Sequence, residues 1–186
     1  NYILESNYII YYKEKELIIS EGRTKAFIDS KYEILTSEIS LNRNLNILTS
    51  DQKTVIIDDE NTQYETDILN YSINTNVFKG TNVKVLTNID QEKSERENYN
   101  FKNGIFDFEK KEFVASETKI FVKKNIFNQD KNDPRIYGKS SKKKGNITKV
   151  NKGVFTSCEQ GDGCPPWSIK AKTIIHDQNK KDIIYE

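Results

Sequence analysis

The sequence predicts an all-β protein made of many short antiparallel strands, and three observations support this fold class. Apolar and polar residues alternate with period two over most of the chain, as they do in half-buried strands. Turn-forming Asn, Asp and Gly residues recur at intervals of about 8 to 12 residues, a spacing typical of sandwiches, barrels and β-solenoids. The apolar positions hold mainly β-branched and aromatic residues, and Met is absent, so helices are not expected.

The composition indicates a single folded domain that spans residues 1–186. The 10 Tyr, 9 Phe and 1 Trp argue against disorder. The 29 basic and 28 acidic side chains nearly cancel, which argues against nucleic-acid binding because phosphate contacts need a basic excess. No apolar run reaches the roughly 18 to 20 residues of a membrane-spanning helix. Because neither an initiator Met nor a signal peptide is present, we expect a processed protein or an excised segment.

In the first half of the chain, the alternation predicts strands at residues 8–12, 17–20, 24–28, 31–35, 39–41, 46–49, 54–57, 62–66, 69–73 and 83–86. A charged hairpin turn is expected at residues 13–16, and a two-residue turn is expected at residues 29–30. Further turn signals lie at residues 58–59, 79–80, 103–104 and 109–111. Accordingly, the glycines at positions 22, 80, 104 and 153 are expected at the ends of strands.

In the second half, the same alternation predicts strands at residues 99–101, 105–108, 113–115, 118–122, 168–176 and 183–185. Residues 90–98 are highly charged, and we expect a loop or one helical turn there. Residues 128–146 contain Pro134, which cannot donate a ladder hydrogen bond, so a loop or an irregular edge is expected. The lysines at 142–144 within this segment either are simply solvated or bind phosphate groups.

Catalytic groups are scarce, and we predict that the protein is not an enzyme and has no cofactor. His176 is the single histidine. Because Asp177 follows it directly, the two side chains point to opposite faces of a strand, which does not suit a base and its orienting carboxylate. A zinc site formed by Cys158, Cys164 and His176 would have only three ligands, without a standard spacing. A hydrolase with His176 as its base is the weakest of the alternatives.

Cys158 and Cys164 are the two cysteines of the chain, and they flank a glycine-rich segment. The short separation is compatible with a disulfide loop, which would indicate an oxidising compartment. Two free thiols in a cytosolic protein are the alternative.

The carboxyl-terminal stretch resembles a known protein family. The residues that carry the resemblance are Thr156-Ser157-Cys158, Trp167-Ser168-Ile169, Ala171, Ile174-Ile175-His176-Asp177 and Ile183-Ile184-Tyr185. They resemble the end of the periplasmic, OstA-like and LptA-related domain of the lipopolysaccharide-assembly family LptD. The resemblance is specific over residues 153–186. Upstream, the hairpins and the segment at residues 20–22 are similar in a general way to the OstA-type repeats shared with LptA.

The resemblance implies an open twisted β-jellyroll whose apolar groove carries the acyl chains of lipopolysaccharide. The implied function is a lipid-carrying module that receives lipopolysaccharide from a periplasmic bridge and passes it to an outer-membrane barrel for assembly at the cell surface. The implied partners are lipopolysaccharide, an LptA-like bridge protein and the barrel with its lipoprotein plug. The bridge protein would dock by strand addition at residues 8–12 and 17–20. The implied location is the periplasm, attached to the outer membrane through a barrel that this sequence lacks.

In the LptD family, a cysteine at the position of Cys158 forms a disulfide with a cysteine of the barrel. Cys164 is an addition in this sequence. The resemblance therefore leaves two partners for Cys158, namely Cys164 and the barrel.

The residues that line the groove are predicted from their period-two spacing and their bulk. They are Phe27, Tyr32, Leu48, Ile56, Tyr64, Tyr71, Val83, Val85, Phe106, Phe121, Phe155 and Ile169. The same side chains would equally suit a closed, packed core. The main alternative to a lipid carrier is a structural β-solenoid or adhesin-like passenger without lipid cargo, because it would use the same hairpins.

Overall fold

The computed structural model describes residues 2–123, 133–159 and 167–186, and these residues form fifteen strands. The strands are β1 (Tyr2–Glu5), β2 (Tyr8–Tyr12), β3 (Leu17–Ile28), β4 (Tyr32–Asn42), β5 (Ile47–Ser50), β6 (Thr54–Ile57), β7 (Gln63–Thr66), β8 (Ile68–Ser72), β9 (Val77–Leu86), β10 (Asn98–Asp107), β11 (Glu112–Phe121), β12 (Arg135–Lys144), β13 (Ile147–Thr156), β14 (Ile169–Asp177) and β15 (Asp182–Tyr185). Short 3₁₀ turns cover Lys13–Lys15 and Lys93–Glu95. Among the described residues, no helix has the length and apolar character needed to cross a membrane.

All of these strands belong to one antiparallel sheet. The strand order is β1-β3-β4-β5-β8-β9-β10-β11-β12-β13-β14-β15, and β2 also pairs with β3. Between β4 and β9 the sheet has two branches. One branch runs through β5 and β8 and joins one half of β4 to one half of β9, and the other runs through β6 and β7 and joins the remaining halves. From β9 to β15, each strand pairs with the next strand along the chain, so hairpins alone build this part of the sheet.

The long strands bend near their middle, so that their two halves belong to two layers facing each other. In β9, Phe78 and Gly80 are buried before the bend, whereas Val83 and Val85 are buried after it. The inward side chains therefore change from even to odd positions within one strand. The inward positions change in the same sense in β4 and β13, and from odd to even in β10 and β11. Layer A comprises β2, β5, β8, β15 and residues 17–21, 39–42, 77–81, 103–107, 112–116, 140–144, 147–151 and 173–177. Layer B comprises β1, β6, β7 and residues 24–28, 32–36, 83–86, 98–101, 118–121, 135–138, 153–156 and 169–171.

Left-handed backbone conformations mark the bend. Asn82, Glu117 and Lys152 each have φ of 50° and lie at the point where the inward positions change in β9, β11 and β13. A residue in this conformation departs from the extended backbone of a strand, so the strand bends there. One such residue therefore shifts the alternation by one position.

Small residues occupy the inner side of the bend. Gly80 and Gly104 are directly opposite each other in the pairing of β9 with β10. A Cβ atom on Gly104 would lie 2.4 Å from the ring of Phe106, and one on Gly138 would lie 2.2 Å from Val150 Cγ1. The two layers therefore meet where the inward side chains are smallest.

Aromatic contacts join the layers. Tyr64 of layer B packs against Phe106 of layer A with ring centroids 5.7 Å apart, and Tyr99 of layer B packs against Phe113 of layer A at 6.0 Å. Both pairs have steeply inclined rings, a favourable geometry for aromatic side chains. Closer to the bend, the layers enclose a packed core that includes Ile28, Ile34, Ile39, Leu41, Leu48, Ile56, Leu69, Tyr71, Phe78, Val83, Ile120, Ile136, Val150 and Ile174.

The predicted all-β fold and its open jellyroll form are confirmed. Residues 90–98 form mainly a loop with the predicted single turn of helix, the 3₁₀ turn Lys93–Glu95. The hairpin turns at residues 13–16, 58–59 and 109–111 are also present.

Three predictions of local structure are wrong. Residues 79–80 and 103–104 do not form turns; they lie inside β9 and β10, where a Cβ atom on either glycine would collide with the ring of Phe78 or Phe106. Gly22 and Gly153 are likewise inside β3 and β13. Residues 135–144 of the predicted loop at 128–146 form β12. The alternation was invisible there because two inward positions of β12 hold the polar residues Ser141 and Lys143.

Candidate functional site

An open trough runs along the edge where the tips of the two layers face each other. Three adjoining cavities with volumes of about 300, 260 and 550 Å³ form it. The central cavity shares Tyr32, Asp59, Glu60, Phe108 and Lys111 with the first cavity. It shares Glu60, Thr62, Thr87, Lys143 and Asn146 with the third. The three cavities are therefore one continuous trough at the mouth of the jellyroll.

The floor of the central cavity is aromatic and its rim is charged. The floor side chains are Tyr64, Val85, Tyr99, Phe106, Phe108 and Phe113, and the rim residues lie in the turns at 58–60 and 111–112. Large apolar surfaces with a few polar groups at the border are typical of sites for apolar or amphipathic ligands. This arrangement suits a molecule that has an apolar part and a polar part.

One ion pair spans the mouth of the trough. Glu60 in the tip of layer B accepts a hydrogen bond from Lys111 in the tip of layer A. The two side chains are 56% and 63% exposed, so the pair contributes little to stability. It can open without a large energetic cost.

The rim turn at residues 58–62 is ordered by its own aspartate. Asp58 Oδ1 accepts hydrogen bonds from the backbone N–H groups of Thr62 at 2.8 Å and Glu60 at 3.0 Å. Tyr64 Oη donates to Asp58 Oδ2 at 3.3 Å. Burial raises the pKa of the Asp58 carboxyl despite these bonds. Burial also raises the pKa of Tyr64 well above its ordinary value, so its hydroxyl stays protonated on the floor.

A buried polar cluster lies in the third cavity. Glu97 is 3% exposed and accepts hydrogen bonds from Tyr99 Oη and, at 2.5 Å, from Gln178 Nε2. His176 Nε2 is 3.8 Å from Glu97 Oε1. Glu97 belongs to the connection before β10 in layer B, whereas His176 and Gln178 lie at the tip of layer A. The cluster therefore joins the two layers at this end of the trough.

Burial lowers the pKa of His176 and of Lys143, the two basic groups that face inward in the third cavity. For His176 burial is the largest cause, the neighbouring Lys143 acts in the same direction, and Glu97 opposes both. For Lys143 burial is again the largest cause, opposed by Glu97 and Glu60. The Lys143 ammonium lies 6.0 Å from the centroid of the Tyr99 ring. This end of the trough thus combines an apolar surface with a half-buried basic group.

Nine of the residues predicted to line the groove face the space between the layers. Four of them line the trough itself: Tyr32, Tyr64, Val85 and Phe106. Five are buried in the packed core nearer the bend: Leu48, Ile56, Tyr71, Val83 and Phe155. The packed core and the groove are therefore both present, at different depths of one jellyroll.

The structure places Phe27 and Phe121 on the outer face, contrary to the prediction that they line the groove. Each is half-buried, and both of its chain neighbours are fully buried. Lys25 covers the outer side of Phe27, with its Nζ 4.6 Å from the ring centroid. Choosing the bulkier residue gave the wrong face at these two positions, because the residues that point inward are the neighbouring Ile28 and Ile120.

Ile169 lies at the border of the inner face. It is opposite the buried Phe155 in the pairing of β13 with β14, so the two side chains share a face. Ile169 is nevertheless 38% exposed. Among the described residues, no strand pairs with the other side of this half of β14.

Several trough residues were missed by sequence reasoning: Glu97, Tyr99, Phe108, Phe113, Lys143 and Gln178. The spacing of Phe108 after Phe106 continues the period of two, so alternation could have identified it. Glu97 and Lys143 carry no such signal, because charged residues are expected on the solvent side of a strand.

The catalytic and metal-binding alternatives gain no geometric support from the described residues. Asp177 Oδ1 accepts hydrogen bonds from the backbone N–H groups of Asn179 and Lys180, so it orders its own turn instead of orienting His176. Over residues 2–123, 133–159 and 167–186, no three His, Cys, Asp or Glu side chains converge as a metal site. Cys158 is half-buried, and its Sγ lies 3.8 Å from the carbonyl oxygen of Trp167. Cys164 lies outside the described residues, so the disulfide stays a prediction.

The described sheet has two edges that carry exposed apolar side chains. At the amino-terminal edge, Ile3 of β1 and Tyr8, Ile9, Tyr11 and Tyr12 of β2 are exposed. At the other edge, Ile184 and Tyr185 of β15 are exposed. Such edges offer unpaired backbone groups to another strand. Residues 17–20, predicted as part of the docking edge, lie in β3 between β2 and β4 and are therefore not at an edge.

Comparisons with known proteins support the fold. No family model matches the chain, and no curated protein matches it. Among solved structures, the chain is similar to the crystal structure of LptH from Pseudomonas aeruginosa, described as the LptA-homologous periplasmic component of the conserved lipopolysaccharide transport device. The TM-score is 0.54 at 10% sequence identity, and the match covers 62% of this chain and 82% of LptH. At this identity, the similarity shows a shared fold.

Proposed function

We propose that the protein is a periplasmic, LptA-like carrier of lipopolysaccharide that shelters acyl chains in the trough and catalyses no reaction. The observation that carries this proposal is the continuous trough with an aromatic floor along the open mouth of the jellyroll. An apolar floor removes acyl chains from water, while the open mouth leaves the sugar head in solvent. The fold shared with LptH, a component of a lipopolysaccharide transport device, supports the same function.

We further propose that the carrier works as the periplasmic part of an LptD-type assembly. It would receive lipopolysaccharide from an LptA-like bridge protein that adds a strand to the β1–β2 edge. It would pass the lipid to an outer-membrane barrel and its lipoprotein plug, and the barrel would hold it at the outer membrane. The resemblance of residues 153–186 to the LptD family and the apolar side chains at both sheet edges support this finer assignment.

Photo-crosslinking from two positions of one strand tests the carrier function. Phe113 and Phe121 are both half-buried residues of β11, but Phe113 lines the central cavity and Phe121 faces outward. A photo-crosslinking amino acid at Phe113 is expected to label lipopolysaccharide in the purified protein, whereas the same amino acid at Phe121 is expected to label little. Equal labelling would contradict the trough as the binding site.

Mass analysis of the purified protein separates the carrier from the structural alternative. A carrier expressed in the periplasm is expected to retain lipopolysaccharide through purification. A β-solenoid or an adhesin-like passenger is expected to carry none. Absence of retained lipid, together with no binding of added lipopolysaccharide, would overturn the proposed function.

A further inference from the structure

Lys143 is a half-buried basic group whose printed contact within the described protein is with the face of the Tyr99 ring, 6.0 Å from its ammonium. It lies near the end of β12, directly opposite Phe113 in the pairing of β11 with β12, and lines both the central and the third cavities. No hydrogen bond or ion pair joins it to any residue of the described chain. The ring and the charges of Glu97 and Glu60 compensate only part of the hydration that a charged group loses in such a position. Burial accordingly lowers its pKa.

The acidic residues around the third cavity are, in contrast, already engaged. Glu60 is paired with Lys111 across the mouth, and Glu95 lies 3.7 Å from Lys123 Nζ. The third acid, Glu97, accepts hydrogen bonds from Tyr99 Oη and Gln178 Nε2. The carboxylates of this cavity are therefore hydrogen-bonded or ion-paired within the described protein, whereas the Lys143 ammonium is a donor group that remains available to a ligand.

A second group of the same cavity has a polar atom without a hydrogen bond. His176 is 1% exposed, lines the third cavity, and has no hydrogen-bond partner for its Nδ1 atom. The nearby Glu97 carboxylate faces Nε2 and so favours the neutral tautomer with its proton on that atom. Nδ1 is then left as an acceptor, able to receive a hydrogen bond from a hydroxyl group.

We propose that the third cavity is the head-group subsite of the trough and binds a phosphate group attached to a sugar. The phosphate would accept hydrogen bonds from the Lys143 ammonium, and a neighbouring hydroxyl would donate to His176 Nδ1. This inference rests on the proposed carrier function and names where the polar end of the cargo lies. Because the aromatic floor of the central cavity begins beside Lys143, the site favours a phosphorylated amphiphile over free phosphate.

The test compares two ligands and two lysines. The ligands are the phosphorylated glycolipid anchor of lipopolysaccharide and the same glycolipid after phosphatase treatment. The variants are Lys143→Met and Lys142→Met, because Lys142 is the neighbouring lysine on the exposed outer face of β12. Thermal unfolding of each variant checks that the jellyroll is retained. Inorganic phosphate serves as a competitor, which separates a lipid head group from a free anion.

Lys143→Met is expected to weaken binding of the phosphorylated glycolipid about tenfold, equivalent to about 1.4 kcal/mol, and to leave the dephosphorylated form unaffected. Lys142→Met is expected to change neither affinity. Equal effects of both variants, or equal affinity of the wild type for both glycolipids, would overturn the head-group subsite while leaving the carrier function intact. If inorganic phosphate bound as tightly as the glycolipid, the subsite would be a site for a free anion, which would overturn its assignment to a lipid head group. Binding of neither glycolipid would overturn the carrier function and the subsite together.

Discussion

The Glu97 carboxylate and the His176 imidazole face each other across the two layers, with Oε1 and Nε2 3.8 Å apart. That distance is too long for a hydrogen bond. Burial therefore outweighs the carboxylate and lowers the pKa of His176. The consequence is a buried histidine that is neutral in the folded protein and takes up a proton more readily when the chain unfolds.

Stability is expected to fall as the pH is lowered through the ordinary histidine pKa of about 6.5. Below that value the unfolded chain binds a proton that the folded chain does not, so the free energy of unfolding decreases with decreasing pH. The loss amounts to about 1.4 kcal/mol for each pH unit between the two pKa values of His176. Urea unfolding at pH 7.5 and at lower pH measures it. His176→Gln removes the titrating group, so its free energy of unfolding should depend less on pH. An unchanged dependence in this variant would contradict the assignment of the effect to His176.

Gly138→Ala is expected to destabilise the fold by about 1 to 3 kcal/mol through overpacking. The added Cβ would lie 2.2 Å from Val150 Cγ1 and 2.9 Å from the backbone oxygen of Asn151, and neither a β-branched side chain nor the backbone moves easily. Denaturant unfolding measures the change. The neighbouring exposed residue offers the control Lys139→Ala, which should be nearly neutral. Equal stability of the two variants would show that the bend does not require glycine there.

Ile10→Pro is expected to weaken the binding of an LptA-like bridge protein while the jellyroll stays folded. Ile10 lies in the middle of β2, which pairs only with β3 among the described strands, and proline cannot donate a backbone hydrogen bond to an added strand. Titration calorimetry measures binding, and circular dichroism measures folding. Ile184→Pro in β15 is the matched control at the opposite edge and should leave this contact intact. If Ile184→Pro alone weakened binding, the docking edge would be the carboxyl-terminal one.

Cys158 is expected to be disulfide-bonded in the periplasm, either to Cys164 or to a barrel cysteine, with Cys164 as the available partner in the 186-residue chain. Closing so short a loop stabilises by at most about 2 kcal/mol on the chain-entropy estimate. Thiol alkylation followed by mass spectrometry, before and after reduction, identifies the bonded sulfur atoms. Cys164→Ser should expose one free thiol in the isolated chain. Two free thiols in the mature wild-type protein would refute a structural disulfide.

Most strands were predictable because their signal is local in the sequence, whereas β1, β12 and β13 were not among the predicted strands. Alternation of apolar and polar residues reports which segments are half-buried, and it placed Tyr32, Tyr64, Val85 and Phe106 correctly on the inner face. The strand β12 was missed for the same reason, since Ser141 and Lys143 put polar groups on its inner face. A pattern of hydrophobicity can identify only strands whose inward positions are apolar.

The bend was not predictable, although it decides which residues face the trough. A single left-handed residue such as Asn82 changes the inward positions from even to odd, and nothing adjacent in the sequence distinguishes it from an asparagine in a turn. Gly80 and Gly104 show the same ambiguity. Each has the sequence signal of a turn, but in the structure each makes room inside a strand for a phenylalanine ring, Phe78 beside Gly80 and Phe106 beside Gly104.

The sequence by itself determined the strand-rich class, the hairpin order and the apolar inner face, because these properties depend on neighbours within a few residues. Tertiary structure alone decided that part of the inner face closes into a packed core, around Tyr71 and Phe78, while the part near Tyr64 and Phe113 stays open as a trough. It also brought Glu97 to His176 and left the Lys143 ammonium without a hydrogen bond or ion pair among the described residues. The physical reason is that the spacing between two facing layers, and the charges that meet across it, depend on residues far apart in the chain.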